Sequence, residues 1–212
     1  VIDQACREFL TLHSNAVVIN LGCGLCTRSH RIFDDFPEVN WVNVDLKPVI
    51  AIRNKILPDN QKIKSIETNN LSELDWIRKE ATKGERPMYI IMEGLSAYLP
   101  QKDLESLIFN IADHCSKVKS AQSLILDYRH PSYDADLNLI NQTSSKKIKY
   151  QGSLTGTDAL KSIHSAISIK NEYDHLMYFS LHQISAALDF QLTHNIQNAQ
   201  GLVEISLLKS DS

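Results

Sequence analysis

Ala16-Val17-Val18-Ile19-Asn20-Leu21-Gly22-Cys23-Gly24 is the stretch that decides the fold. Its first six residues are short, almost continuously apolar and rich in β-branched side chains, the pattern of a strand buried on both faces of a parallel sheet. The run stops at Gly22. A glycine there permits a tight turn, and a second at Gly24 lets main chain approach a ligand with no Cβ in the way. Residues 27–36 read as a helix, whose first turn offers free N–H groups and a positive dipole end. Thr27 stands where the third glycine of a dinucleotide fingerprint belongs, so strand, Gly-x-Gly and helix together predict a ligand-binding turn without specifying its ligand.

Outward from this turn, strands and helices alternate. Residues 41–46 form a second strand, and Pro48 opens a helix with Val49, Ile52, Ile56 and Leu57 on its apolar face. A third strand is expected over 61–67 and an amphipathic helix over 71–81. Residues 88–92 make a fourth strand. Pro100 then opens a helix that carries Leu104, Leu107, Ile108 and Ile111, and residues 123–127 make a fifth strand. Such alternation predicts a parallel sheet covered by helices on both faces. The end of the chain differs. It reads as a helix over 182–188 and strands over 190–196 and 202–208, joined through the polar residues 197–201. Those two strands suit an antiparallel hairpin closing the sheet. Residues 130–156 are the least regular part.

The 212 residues suffice for one domain with its own core, spanning 1–212. The formal charge of −3 argues against a nucleic-acid partner, and Lys146-Lys147-Ile148-Lys149 reads as a solvated loop. No apolar run nears the ~20 residues that span a bilayer, and residues 1–15 lack the apolar core of a signal peptide. Cys6, Cys23, Cys26 and Cys115 are too sparse for a disulfide framework and suit a reducing, cytoplasmic setting.

Two carboxylates sharpen the turn. Asp45 ends the second strand roughly 20 residues past the glycines, where an acid can hydrogen-bond a ribose diol; the alternative is a cap for the helix that follows. Glu93 ends the fourth strand. A carboxylate at that edge needs a cationic partner, either on a ligand or on Arg28. After the fifth strand, His130 is a candidate base or a surface histidine, and Arg129 a candidate fork for a substrate carboxylate. Cys23-Gly24-Leu25-Cys26 also spells Cys-x-x-Cys, between a strand and a helix whose dipole lowers a thiol pKa, so a thiol oxidoreductase is a rival reading. Cys23, Cys26 and His30 supply three zinc ligands at most, one short of a structural site.

The same residues resemble a known family. Val18-Ile19-Asn20-Leu21-Gly22-Cys23-Gly24-Leu25-Cys26-Thr27-Arg28 looks like the first motif, V-x-N-L-G-x-G-L-D-T-R, of the leucine carboxyl methyltransferases, which include the tetracenomycin-type polyketide O-methyltransferases. Residues 41–50 resemble the second block, and Glu93-Gly94-Leu95-Ser96-Ala97-Tyr98-Leu99 resembles the block E-G-x-x-x-Y-L. The resemblance covers about residues 16 to 130.

It implies a Rossmann-like, doubly wound, mostly parallel seven-stranded α/β sheet that binds S-adenosylmethionine. Gly22, Cys23 and Gly24 are then expected at the methionine moiety, Asp45 and Leu46 at the ribose, and Asn70 and Leu71 near the adenine. Glu93 and Gly94 are expected at the α-amino group, and Arg28 at the cofactor carboxylate or Glu93. Tyr98 lines the cavity near the methyl group. No metal is implied. Cys26 and Asn70 each replace an Asp of the family pattern. Only about 15 residues precede the first strand, so the helical segment that covers the family's active site is expected to be short or missing. The implied activity is methyl transfer to a hydroxyl or carboxyl of a small molecule. Protein C-terminal carboxyl methylation and a non-catalytic cofactor-binding module remain as alternatives.

Overall fold

The structure is a computed structural model that describes residues 1–74, 77, 86–129, 151–174 and 200–207. Seven strands form one sheet: β1 (Val17–Leu21), β2 (Asn40–Leu46), β3 (Ile63–Thr68), β4 (Met88–Met92), β5 (Gln122–Arg129), β6 (Ser168–Asp174) and β7 (Gln200–Ser206). Their order across the sheet is β3-β2-β1-β4-β5-β7-β6. β1 to β5 are parallel, and β7 runs antiparallel to both β5 and β6. A doubly wound dinucleotide fold has the order 3-2-1-4-5-6; here an antiparallel strand is inserted between the fifth and sixth.

β1 lies at the centre, and all five of its residues are buried. Val17, Ile19 and Leu21 face one core, which they share with the inner face of α4 (Gln101–Cys115): Leu104, Leu107, Ile108 and Ile111. Val18 faces the other core, under α1 (Ile2–Leu12). A fully buried Leu or Ile stabilises the fold by about 1.5–3 kcal/mol, so a strand apolar on both faces is what a two-sided sheet selects.

Helix α1 escapes the sequence reading, although the signal is present. Ile2, Ala5, Cys6, Phe9 and Leu10 are all buried, spaced as one helical face. After β1, α2 (Arg28–Phe33) is shorter than the segment 27–36 predicts.

In α3 (Lys47–Ile56) the predicted apolar face is wrong. Ile52 and Ile56 are 55% and 58% exposed and Val49 and Leu57 half-buried, while Ile50 and Arg53 point inward. Carbonyl acceptors lie beneath the helix, and their hydrogen bonds to Arg53 offset the cost of burying its charge. The arginine therefore takes the inner face, and the apolar stripe turns to solvent.

The closing antiparallel pair also differs. β7 begins at Gln200, inside the segment expected to be a connection, and the strand beside it is β6, which has no clear alternation to announce it. The helix expected over 182–188 and the strand over 190–196 lie outside the described residues, as does most of the helix over 71–81. Residues 157–163 form α5 (Thr157–Ile163).

Register determines what stands at the ligand edge. Val44, Leu21, Met92 and Leu126 are aligned across β2, β1, β4 and β5. The next residue along each strand is Asp45, Gly22, Glu93 and Asp127. One row of the sheet thus delivers a glycine turn flanked by three carboxylates.

Candidate functional site

The turn after β1 carries two left-handed residues, Gly22 at φ 66° and Gly24 at φ 49°. Gly22 is tied to β2 by its N–H donating to Val44 O at 2.9 Å, and Leu95 packs against it. Gly24 has open space where a Cβ would stand, with nothing within 4 Å. Asp45, only 6% exposed, fixes the turn from the side: Oδ2 accepts the Gly24 N–H at 2.7 Å, and Oδ1 accepts the Leu46 N–H, also at 2.7 Å. The helix that follows receives no side-chain cap, so the capping reading of Asp45 gives way to a brace on the glycine turn.

From behind, Arg53 completes the brace. Its fully buried guanidinium donates from Nη1 to Gly24 O at 3.1 Å and to Cys26 O at 2.7 Å, and from Nη2 to Ser29 Oγ at 3.3 Å. Carbonyls are held toward α3 and an amide toward Asp45, which sets the orientation of the whole turn.

Glu93, at the end of β4, is 44% exposed on its side chain and accepts from Arg28 Nη2 at 2.9 Å. Arg28 also donates from Nε to Asp3 at 2.6 Å and from Nη1 to Cys26 Sγ at 3.3 Å. Burial works against the Arg28 charge, but the Cys26 sulfur, Glu93 and Asp3 outweigh it and hold the guanidinium above its usual range. Both partners that the sequence offers for Glu93 therefore remain compatible: Arg28 occupies one oxygen, and the carboxylate still meets solvent.

The Gly94 N–H donates to Asp127 Oδ1 at 3.0 Å. Burial pushes the Asp127 carboxyl up to about 6; the Gly94 amide opposes this and the charge of Glu93 adds to it.

The other predicted residues divide. Leu46 is 39% exposed at the edge of β2. Asn70 is exposed and turns its Oδ1 back to the Ser72 N–H at 3.0 Å, while the Leu71 side chain lies in the core. Tyr98, 52% exposed, sits on a single 3-10 turn (Ser96–Tyr98) beyond Gly94. Arg129 is buried, with Nη2 donating to Gly152 O at 3.4 Å, rather than displayed to a substrate. His130 lies outside the described residues.

Cys23 lacks the chemistry that the Cys-x-x-Cys spacing suggests. Burial pushes the Cys23 thiol up to about 12, the opposite of what a redox nucleophile requires. Among the described residues, no group of three or more His, Cys, Asp or Glu is placed to hold a metal ion.

Sequence reasoning misses Asp3 and Arg53, and it sets Asp127 at the ligand edge without giving it a role. The rule that picks out Glu93, an acid ending a parallel strand, also picks out Asp127. The other two act across 25 and 29 residues, and nothing local announces such pairings.

The model of the leucine carboxyl methyltransferase family matches residues 1–112. Tetracenomycin polyketide synthesis O-methyltransferase TcmP of Streptomyces glaucescens is 32% identical over 114 residues, which are 53% of this chain and 40% of that protein. The S-adenosyl-L-methionine-dependent methyltransferase dpfgK of Gibberella zeae is 28% identical over 119 residues, 54% of this chain and 40% of its own length. The match thus spans less than half of either relative. A solved SAM-dependent methyltransferase from Anabaena variabilis superposes with a TM-score of 0.64 at 12% identity, over 97% of this chain and 83% of that one, a likeness of fold. No helix among the described residues is long and apolar enough to cross a membrane. With the glycine turn, Asp45, Arg28 and Glu93 all inside the matched segment, the chain belongs to the leucine carboxyl methyltransferase family.

Proposed function

We propose that this chain binds S-adenosylmethionine at the glycine turn and transfers its methyl group to an oxygen, hydroxyl or carboxylate, of a small molecule. The observation that carries the reading is the register row, which sets the open turn at Gly22–Gly24 between Asp45 on one side and Glu93 on the other. The donor set fits the cofactor. The space above Gly24 admits close approach of a ligand, Asp45 is an acceptor for ribose hydroxyls, and Glu93 is an acceptor for an α-ammonium group. Arg28 is the matching cation for the α-carboxylate. Cys23, Leu46 and Gly94 contribute main chain and surface beside these groups, and Asn70 and Leu71 lie past the end of β3, on the adenine side.

When bound, the cofactor supplies a methyl group on a sulfonium, already a good leaving group. The protein's part is positioning, which in favourable cases lowers a barrier by about 7–11 kcal/mol. Tyr98, on the turn after Gly94, faces the acceptor side in this reading. His130, next in sequence after β5, is the candidate base for a hydroxyl acceptor; a carboxylate acceptor needs none. Similarity to the O-methyltransferase of tetracenomycin polyketide synthesis favours a small-molecule acceptor, and the sparse cysteines favour the cytoplasm.

Thermal unfolding with S-adenosylhomocysteine tests the reading. Ligand at 100 times its dissociation constant should add about 2.7 kcal/mol of stability. An unshifted transition at millimolar ligand rejects cofactor binding. If the cofactor binds, base-labile methyl esters in the products identify a carboxyl acceptor, and base-stable ethers a hydroxyl. Turnover on peptide C-termini alone would replace the small molecule by a protein acceptor.

A further inference from the structure

Asp3, in the first turn of α1, is joined to the cofactor edge by a chain of charged groups. Its Oδ1 accepts from Arg28 Nε at 2.6 Å, and Arg28 Nη2 in turn donates to Glu93 at 2.9 Å. Arg31 holds the same carboxylate in place, with Nε donating to Oδ2 at 3.0 Å and Nη2 to Oδ2 at 2.8 Å. Burial works against the Asp3 charge, yet Arg31 and Arg28 together hold its carboxyl below the usual range.

The Arg28 guanidinium is planar, so fixing its Nε edge fixes the directions of both Nη groups. One then points at Glu93 and the other at Cys26 Sγ, 3.3 Å away beside the glycine turn. Without a carboxylate at Nε, the fork is free to swing about its stem, and Glu93 loses a defined partner. We infer that Asp3 is a positioning residue for the methionine end of the cofactor, acting through Arg28 and Glu93 and never touching the ligand itself. This rests on the cofactor reading of the turn.

Helix α1 does not depend on Asp3 for its place. Ile2, Ala5, Cys6, Phe9 and Leu10 are buried against the sheet, and Arg7 makes a separate ion pair with Asp35 just beyond α2. That second pair supplies the control. Asp3→Asn and Arg7→Ala each remove an ionic tie between α1 and the α2 region, but only Asp3→Asn loosens the hold on Arg28, whose Nε is left with a neutral acceptor in place of a carboxylate.

Calorimetric titration of the whole chain with S-adenosylhomocysteine reads the difference. Asp3→Asn is expected to weaken binding about tenfold, and Arg7→Ala to leave it within twofold of the unsubstituted protein. Asp3→Glu, which keeps the carboxylate one methylene further out, should fall between. Equal affinity in Asp3→Asn and the unsubstituted protein overturns the inference, as does an equal loss in Arg7→Ala, which would make the tie merely structural. Should Asp3→Asn fail to fold, Asp3→Glu against Arg7→Ala decides: weaker binding in the former alone supports the inference, and no difference overturns it. If the unsubstituted protein does not bind the probe, the cofactor reading falls and this inference falls with it.

Discussion

The Asp45 carboxylate accepts the Gly24 N–H at 2.7 Å, joining the acid near the end of β2 to the turn that follows β1. A carboxylate held in this way serves two purposes. It pins the glycine turn, and its remaining lone pairs stay at the ligand edge. Asp45→Ala is therefore expected to weaken S-adenosylhomocysteine binding by about 10- to 100-fold, the equivalent of losing hydrogen bonds to a charged group worth roughly 1.5–3 kcal/mol. Asp45→Asn keeps an acceptor for the Gly24 amide and should lose less. Titration calorimetry on both variants measures the order, and an unchanged affinity in Asp45→Ala removes Asp45 from the binding site.

The two glycines of the turn should respond differently to alanine. Both are left-handed, so each pays about 1–2 kcal/mol in strain. At Gly22 the added Cβ also meets Leu95 at 3.2 Å, and stability should fall further. At Gly24 nothing obstructs the methyl group within 4 Å, so the loss should be strain alone, roughly 2–8 °C in Tm. The Gly24 methyl group instead fills the space proposed for the cofactor. Gly24→Ala should thus show the smaller thermal loss and the larger loss of cofactor affinity; the reverse ranking contradicts the placement of the ligand above Gly24.

The sheet and its ligand edge were legible because β1 and β4 are apolar on both faces and end at a glycine or an acid, signals that lie within single segments. Glu93 followed from the end of β4, and Asp45 from the end of β2. What escaped was set by contacts distant in sequence. The outward stripe of α3 looks like a core face until Arg53 is seen to have acceptors under the helix. β6 owes its place to pairing with β7, whereas its own sequence, Ser168-Ile169-Lys170-Asn171-Glu172-Tyr173-Asp174, has little alternation. Its polar side chains find partners across the pair: Lys170 and Asn171 both donate to buried Glu204, at 3.0 Å each.

Arg53→Met separates the brace from the packing. Methionine refills most of the buried stem but leaves the Gly24 and Cys26 carbonyls and the Ser29 hydroxyl without their donor. Stranded buried acceptors cost about 1–3 kcal/mol, so Tm should fall by roughly 2–12 °C. Cofactor affinity should fall as well, since the turn loses its fixed orientation. A variant that melts lower but binds S-adenosylhomocysteine as before would limit Arg53 to a structural role.

Asp127 makes stability depend on pH in an unusual direction for a carboxylate. Burial raises its carboxyl in the folded protein to about 6, against 3.8 for the ordinary group. Between about pH 4 and 6 the unfolded chain gives up this proton while the folded chain keeps it. The Asp127 contribution therefore destabilises progressively as pH rises through that window, and is constant above it. Asp127→Asn retains an acceptor for the Gly94 amide and removes the titration. Its stability relative to the unsubstituted protein should improve from pH 4 to 6 and then level off in chemical denaturation. A difference that stays flat across the window would show that Asp127 is already ionised at low pH.

Cys23 should behave as a packing residue. With its thiol pushed up to about 12, Cys23 at pH 8 is ionised to only about one part in 10,000. A dithiol oxidoreductase needs an accessible, acidic thiol to attack a disulfide, and Cys23 is 3% exposed with its Sγ against Gly24 O at 3.7 Å. The folded protein is expected not to reduce insulin disulfides, and Cys23 should resist iodoacetamide until denaturant is added, while half-buried Cys26 reacts first. Cys23→Ser should still bind S-adenosylhomocysteine, because Gly22, Gly24 and Asp45 all remain in place. Rapid alkylation of Cys23 in the native state, read by peptide mass spectrometry, would mean that the turn opens and would return the redox reading to contention.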